Sequence, residues 1–388
     1  MGQGPLDHIR SADWLTSARV RGYAVIVGLA SLGLLIAAYF EAMSPTGSDF
    51  LAFWGAGSVT AGGDPAAAYD LAVQESVQTA TGSEGWFAFV NPPPFLFAAT
   101  PFGALPFPAA WIAWVAITFA LWAWASMRAF PRLWPLVLAY PGALVAATHA
   151  QTGLLTGALL VLAVTQLDRR PLGSGAAIGA LVVKPHLAVL LPFWLAAGRR
   201  WRVFAAAGIS LAGLLLASWL AFGAATFEGY ASSWRASGAL MEEDNADFFL
   251  RMTTLYSQAR LYMPGTAAGV AGAASALLAL IVAVTSWRRF GGDVMASGAA
   301  VLAATALASP YLFNYDLPFL IVPTLWLVSQ GLERGFRPYE KLALVALYFA
   351  PYATRALAFP LDFNLMPLAA LALLWLVWTR GSGNRIAD

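Results

Sequence analysis

The sequence contains no cysteine among its 388 residues, which excludes disulfide bonds, thiolate metal ligands and cysteine nucleophiles. Charge is also scarce. Asp, Glu, Lys and Arg make up 11% of the chain, whereas a soluble protein carries about 25%. The formal net charge is only +2, so electrostatics give no case for binding nucleic acid. No glycine-rich loop of the P-loop type occurs, so a nucleotide-phosphate site of that kind is not predicted.

Apolar residues are abundant instead. They make up 60% of the chain, the mean hydropathy is +0.67, and apolar stretches recur from Tyr23 to Trp378. A membrane-spanning helix needs about 20 apolar residues, and fewer where it is broken or re-entrant. We therefore predict an all-α polytopic membrane protein, a single integral membrane domain over 1–388 with about 12 transmembrane or re-entrant helices. The candidate spans are 22–41, 109–127, 133–148, 152–167, 173–184, 186–198, 203–222, 267–286, 293–309, 313–331, 342–358 and 364–379.

Basic residues predict the topology. With these spans every basic cluster falls on one face of the membrane, and basic loops remain in the cytoplasm. Both termini are therefore predicted to be cytoplasmic, with 1–21 as a signal anchor and 381–388 as a tail. Two long loops, 42–108 and 223–266, face the other side. The clusters are Arg19/Arg21, Arg128/Arg132, Arg169/Arg170, Arg199/Arg200/Arg202, Arg288/Arg289, Arg334/Arg337/Lys341 and Arg380/Arg385.

The stretch Ser48-Asp49-Phe50-Leu51-Ala52-Phe53-Trp54 follows the first span directly. It begins a predicted amphipathic helix from Asp49 to about Ala61, whose aromatic side chains would lie at headgroup level. A carboxylate at this surface suits a general base that takes a proton from an acceptor hydroxyl. The alternative is that Ser48 or Asp49 caps the helix by accepting bonds from free backbone N–H groups.

Further polar residues collect in the outward turns, and such residues are costly at membrane depth. Lys184, which is followed by Pro185 and His186, either holds a phosphate or is a lysine that snorkels to the interface. His149 and Gln151 flank a tight turn between two spans. They are either ligand contacts or residues with a structural role.

Three other outward residues have equally plain alternatives. Asp64 lies in a Gly-Gly-Asp-Pro segment and is either a substrate contact or a turn residue. Arg251 either pairs with Asp247, one helical turn away, or faces an anionic group of a substrate. Arg355 is also outward and has Asp362 as a candidate ion-pair partner.

Tyr311, Asn314, Tyr315 and Asp316 stand at the start of a later span. Their hydroxyl and amide groups suit sugar recognition, although tyrosines at this level are also ordinary interfacial anchors. The acids and histidines of the chain show no tight ligand spacing, so no metal site is predicted.

The order of these motifs resembles glycosyltransferase family 87, a GT-C-type group of polyprenol-phosphate-mannose-dependent alpha-mannosyltransferases. The resemblance covers most of the chain, and its specificity lies in the order of the motifs. Asn91 departs from it, because an aromatic residue is expected before the prolines. The matching motifs are Asp49-Phe50 with Phe53-Trp54, Gly62-Gly63-Asp64-Pro65 with Tyr69, Asn91-Pro92-Pro93-Pro94, His149-Ala150-Gln151-Thr152-Gly153, Val183-Lys184-Pro185-His186, Arg251-Met252-Thr253-Thr254-Leu255-Tyr256, Ser309-Pro310-Tyr311 and Tyr315-Asp316-Leu317.

The resemblance implies a GT-C-like bundle in the bacterial cytoplasmic (inner) membrane, with its active site facing the periplasm or exterior. The implied reaction is an inverting transfer of a sugar, with mannose expected, from a polyprenyl-phosphate-linked donor to a glycolipid, polysaccharide or protein acceptor. No cofactor is expected, because the lipid-linked sugar is a substrate. The partners are the donor, the acceptor and membrane lipids, with no nucleic acid.

The resemblance also assigns roles to residues of this chain. Asp49 would be the catalytic base, and Lys184 would meet the donor phosphate with help from Arg251 or His149. The full predicted substrate-binding set is Asp64, His149, Gln151, Lys184, His186, Arg251, Tyr311, Asn314, Tyr315 and Asp316.

A multi-pass transporter or lipid flippase is the alternative function, because carriers also build their sites from broken helices with ionisable residues. The spans show no paired halves, and the polar residues gather at one face instead of mid-bilayer, which favours the enzyme. A purely structural membrane protein leaves the outward polar cluster unexplained.

Overall fold

A computed structural model describes residues 5–242 and 245–381. Within these ranges all named elements of secondary structure are helices. They are joined by turns, by several 3-10 helices and by the irregular segment 80–92. The α-helices are α1 (Pro5–Ser11), α2 (Ser17–Ala42), α3 (Phe50–Ala61), α4 (Leu71–Thr79), α5 (Leu96–Gly103), α6 (Phe107–Ala129), α7 (Trp134–Leu138), α8 (Pro141–Thr148), α9 (Gly153–Thr165), α10 (Pro171–Ala180), α11 (Leu191–Ala197), α12 (Trp201–Phe222), α13 (Ala224–Glu242), α14 (Ala246–Leu250), α15 (Leu255–Arg260), α16 (Gly265–Arg289), α17 (Val294–Ala308), α18 (Ile321–Arg334), α19 (Glu340–Leu357) and α20 (Met366–Arg380).

Each predicted span coincides with helical structure, but only some of the helices are long. In the described part of the chain, α2, α6, α12 and α16 are long and apolar enough to cross a membrane. The middle spans are broken because prolines remove backbone donors. For example, Pro185 follows Lys184 between two short 3-10 helices, Leu181–Val183 and Pro185–Ala188. The number of about 12 spans therefore stays a prediction.

The first long loop, 42–108, is a folded helical unit, and the prediction of an amphipathic surface helix at its start is wrong. Every residue of α3 from Phe50 to Gly57 is buried except Trp54. The Phe50 ring stacks on that of Trp114, with ring centroids 5.9 Å apart. Helical spacing of aromatics predicts a helix, but it does not reveal that protein covers more than one of its faces.

Glycine allows this burial, because α3 and α5 approach with their backbones in contact. A Cβ atom at Gly57 would lie 2.3 Å from the carbonyl oxygen of Ala99, and one at Gly103 would lie 2.1 Å from the carbonyl carbon of Gly57. Small residues at helix contacts permit such close approach in membrane proteins. The α3–α5 contact fixes the start of α3, and Asp49 stands at that start.

The second long loop, 223–266, is also largely helical in its described parts, 223–242 and 245–266. Its helix α13 packs against the 3-10 helix Ala66–Tyr69 of the first loop, where the rings of Tyr69 and Tyr230 lie 5.8 Å apart. Its later part, α14 and α15, packs near the start of the span that begins at residue 313. The two long loops therefore form one folded layer at the same end of the helix bundle.

Several of the basic segments contact one another, although a common membrane face for all of them stays a prediction. α19 begins next to these contacts, at Glu340, and runs away from them to Arg355. The assignment of the basic segments to the cytoplasm stays a prediction. The contacts that join the basic segments are Lys341 Nζ to Ala12 O at 3.2 Å, Arg337 to Thr379 O at 3.1 Å, Arg289 to Trp378 O at 2.9 Å and Arg200 to Asp168 at 2.8 Å.

We expect Gly57→Ala to lower the stability of the protein, because the new methyl group meets backbone atoms of α5 that have no room to move. Overpacking of this kind costs about 1–3 kcal/mol, which exceeds the gain of about 1 kcal/mol from better helix propensity. Thermal unfolding in detergent, followed by tryptophan fluorescence, measures the effect. Gly28→Ala in α2 is the control, since a Cβ atom there meets nothing within 4 Å. Equal unfolding temperatures for the two variants would contradict the close contact.

Candidate active site

Asp49 stands immediately before α3, and its side chain does not cap that helix. Its backbone has φ −51° and ψ −24°, and its carboxylate makes no capping hydrogen bond. Ser48 Oγ accepts the bond from the Phe50 N–H at 3.3 Å instead. The capping alternative is therefore wrong for Asp49 and holds for Ser48. The half-buried carboxylate of Asp49 remains available for another role.

Gln151 orients this carboxylate. Its Nε2 atom donates a hydrogen bond to Asp49 Oδ2 at 3.1 Å, across 102 residues of sequence. The preceding residue, Ala150, has φ +47°, so the turn between α8 and α9 is in the left-handed region that costs energy for any residue but glycine. Gly153 follows, and a Cβ atom there would lie 1.7 Å from the carbonyl oxygen of Tyr315. This turn is thus pressed against the segment that carries Tyr315.

Lys184 and Asp316 form a buried ion pair. Lys184 Nζ lies 2.5 Å from Asp316 Oδ1, and the two side chains are 11% and 0% exposed. The second carboxylate oxygen of Asp316 accepts the N–H of Phe313 at 3.2 Å. Lys184 Nζ also lies 5.1 Å from the centre of the Tyr315 ring. Lys184 is therefore not a snorkelling lysine, and its charge is already neutralised by the protein.

Two histidines and two tyrosines line the site next to this pair. The rings of His149 and Tyr315 lie 5.7 Å apart, and those of His186 and Tyr311 lie 5.8 Å apart. His149 Nδ1 is 2.9 Å from the Val145 carbonyl oxygen, which fixes its ring. His186 Nε2 is buried and has no hydrogen-bond partner among the described residues. A buried polar atom without a partner is unusual and calls for a ligand or a water.

Tyr311 has electrostatic contact with both acids of the site. Burial and the carboxylates of Asp316 and Asp49 raise the pKa of Tyr311 to about 12. Its hydroxyl is therefore protonated at neutral pH and can donate a hydrogen bond. These electrostatic effects indicate that Asp49, Asp316 and Tyr311 belong to one cluster, although Asp49 is far from the other two in the sequence.

The second long loop is joined to the site by a short strand-like contact. Met252 and Phe313 form an antiparallel bridge, and the Thr253 N–H donates to the Leu312 carbonyl oxygen at 2.8 Å. Thr254 Oγ1 donates to the Pro310 carbonyl oxygen at 3.1 Å. These bonds hold the residues after α14 beside Tyr311. Arg251, at the end of α14, is therefore carried to the edge of the site.

Arg251 does not pair with Asp247, since no ion pair joins their side chains within the described residues. The Arg251 backbone N–H bonds to the Asp247 carbonyl oxygen at 3.3 Å, and its guanidinium lies 6.0 Å from the centre of the Phe359 ring. Arg355 lies 5.5 Å from the same ring. Arg355 interacts electrostatically with both Arg251 and Asp49. The outward position of Arg355 was visible in the sequence, but its convergence with Arg251 was not.

Two predicted substrate contacts have structural partners. Asp64 is exposed, and its Oδ1 atom accepts a hydrogen bond from the N–H of Ala67 at 3.2 Å. This bond is the role in a turn that the sequence analysis gave as one alternative. Asn314 is 1% exposed, and its amide groups bond to other parts of the protein. Its partners are Pro351 O at 2.8 Å, Thr354 Oγ1 at 3.0 Å and Asn364 Nδ2 at 3.0 Å. Binding of substrate by either residue stays a prediction.

Within 5–242 and 245–381, no three His, Asp or Glu side chains form a group able to hold a metal ion.

We expect Lys184→Met to destabilise the protein by about 3–5 kcal/mol, because it leaves the fully buried carboxylate of Asp316 without a counter-ion. The double variant Lys184→Met/Asp316→Asn should recover most of this loss. Asparagine is neutral and keeps an acceptor for the N–H of Phe313. Thermal unfolding in detergent measures both.

Lys341→Met is the matched control for the ion pair, since it removes the other lysine of the chain. Lys341 lies 3.5 Å from Asp13, and their side chains are 20% and 59% exposed, so its loss costs at most about 1 kcal/mol. If Lys184→Met were no less stable than Lys341→Met, the ion pair would not support the fold.

Comparison with known proteins gives one match. The sequence profile of glycosyltransferase family 87 matches residues 89–310, which is more than half of the chain. The matched region contains His149, Gln151, Lys184 and Arg251, while Asp49 precedes it and Tyr311 follows it. No curated protein and no solved structure matches the chain. By the extent of the profile match, and with its long apolar helices, the chain belongs to glycosyltransferase family 87, a family of membrane glycosyltransferases.

Proposed function

We propose that this glycosyltransferase transfers a sugar from a polyprenyl-phosphate-linked donor to an extracytoplasmic glycolipid or glycan, and that the sugar is mannose, as the family resemblance implies. Asp49 is the general base, and the configuration at the sugar is inverted. The protein acts in the bacterial inner membrane with its site on the periplasmic or exterior face. The observation that best supports this proposal is the Asp49 carboxylate. It makes no capping hydrogen bond to α3, and it accepts a hydrogen bond from Gln151.

The reaction is a single displacement. Asp49 takes the proton of an acceptor hydroxyl, and the oxygen of that hydroxyl attacks the anomeric carbon from the side opposite the donor phosphate. The bond between the anomeric carbon and the phosphate oxygen breaks, and the lipid phosphate leaves with the electron pair. A positioned carboxylate base contributes about 10²–10⁴-fold to such a reaction. Positive charge near the leaving phosphate lowers the barrier further, because negative charge grows there.

The residues next to Asp49 suit a sugar between acceptor and phosphate. Tyr311 offers a protonated hydroxyl, and His186 Nε2 is a buried polar atom that lacks a partner among the described residues. A sugar hydroxyl supplies the bond that His186 lacks, since it both donates and accepts. The rings of Tyr315 and His149 add an apolar wall of the kind on which sugar rings pack.

We expect Asp49→Asn to abolish transfer, with a loss of at least about 10²-fold, while donor binding is retained. The assay offers polyprenyl-phosphate-mannose and a mixed pool of glycolipid acceptors to the purified protein in nanodiscs. Transfer that survives the substitution would mean that another group is the base. Absence of transfer by both proteins, together with transport of the lipid across liposomes, would favour the flippase alternative.

Gln151→Leu should lower kcat by about 10- to 100-fold, because a base that is misplaced by an ångström loses much of its advantage. Gln151→Asn is too short to reach Asp49 and should behave in the same way. The matched control is Gln166→Leu, in the turn that follows α9. If Gln151→Leu kept full kcat, the bond from Gln151 to Asp49 would have no part in catalysis.

A further inference from the structure

Two arginines from separate elements meet at one aromatic ring near Asp49. Arg251 ends α14, and Arg355 lies in the last turn of α19. Their guanidinium carbons lie 6.0 Å and 5.5 Å from the centre of the Phe359 ring, which is itself 37% exposed. A ring face attracts a cation by its quadrupole. The shared ring therefore holds two positive groups close together at the edge of the site.

The charges of this pair are not balanced by a bonded carboxylate. Neither Arg251 nor Arg355 forms an ion pair with any side chain that the structure describes. The charge of Arg251 repels that of Arg355, and the charge of Asp49 acts in the opposite sense with a smaller effect. Like charges that are held together raise the free energy of the site unless an anion lies between them. The arrangement therefore favours a bound anion.

Lys184 is the weaker candidate for the same anion. Its ammonium is bonded to Asp316 at 2.5 Å and its side chain is only 11% exposed, so a phosphate would compete with a buried carboxylate. Arg251 is exposed and Arg355 is half-buried. A guanidinium is planar, weakly hydrated and able to form two parallel bonds to phosphate oxygens, which makes it well suited to a phosphate group.

We propose that Arg251 and Arg355, with Phe359 as their common support, form the site that holds the phosphate of the lipid-linked donor. This inference rests on the proposed function, and it assigns to Arg355 a role that sequence reasoning did not give it. The two positive charges stabilise the phosphate as it leaves. Asp49 and the phosphate then lie on opposite sides of the sugar, within electrostatic range of each other.

The test is equilibrium binding of farnesyl phosphate to the full chain in nanodiscs of neutral lipid, with no acceptor present. We expect Arg251→Gln and Arg355→Gln each to weaken binding by about 10- to 100-fold, as the loss of a charged hydrogen bond predicts. The double variant should bind more weakly than either. Arg132→Gln removes an exposed arginine that the topology predicts on the other face, and it should bind as the wild type does.

Three further arms identify what the site recognises. Farnesol should bind equally to the wild type and to the double variant, because it lacks the phosphate. Asp49→Asn should bind farnesyl phosphate more tightly, because a negative charge near Arg355 is removed. Phosphatidylglycerol should compete poorly. Equal competition by phosphatidylglycerol would mean that the arginines hold a lipid headgroup, which would overturn the assignment to the donor.

Failure of this inference is separable from failure of the proposed function. Wild-type binding of farnesyl phosphate by the double variant would overturn the arginine site, even if Asp49→Asn abolishes transfer. Conversely, loss of binding in the arginine variants would uphold the site even if the sugar transfer assay gave no product. Unfolding temperatures of all variants are measured in parallel, so a folding defect is recognised as such.

Discussion

The ion pair between Lys184 and Asp316 is the constraint on which the candidate site depends. Both residues lie where a helix is interrupted, so the pair joins two breaks that are 132 residues apart in sequence. It holds Tyr315 beneath the lysine and leaves the backbone of that residue against Gly153. Gly153 in turn belongs to the turn that brings Gln151 to Asp49. The orientation of the carboxylate thus follows from an ion pair that it never touches.

The protein separates its charges between the two ends of the bundle. At the basic end, Arg380 and Glu340 form a second buried ion pair at 3.4 Å, surrounded by arginines that bond to backbone carbonyl groups. In these bonds, arginine side chains donate to backbone carbonyl groups at the end of α20. At the opposite end, Arg251 and Arg355 are held by an aromatic ring instead. Arginine therefore has a structural role at one end, whereas the two arginines at the other end have no bonded carboxylate among the described residues.

The sequence predicts the helices well because a segment that crosses the bilayer is an apolar helix, which leaves a long apolar run in the sequence. Apolar runs are long, breaks occur at prolines, and the motifs around residues 149–153, 184–186 and 311–316 contact one another in the fold. The burial of α3 was not predictable, since the periodicity of an aromatic helix does not show what covers it. The partner of Lys184 was equally hidden. No spacing or motif in the sequence indicates that Lys184 and Asp316 form an ion pair, and the pair becomes visible only in the folded structure.

The distance between Lys184 and Asp316 along the chain has a consequence for biosynthesis. The ribosome delivers the lysine to the membrane well before the aspartate that neutralises it. Until then the charge has no buried counter-ion, and a lysine at the centre of a membrane helix costs about 3 kcal/mol. Asp49, although it is made first, gains its oriented neighbours only when most of the chain has been inserted. An incomplete polypeptide therefore lacks the oriented carboxylate that the complete fold holds beside Gln151.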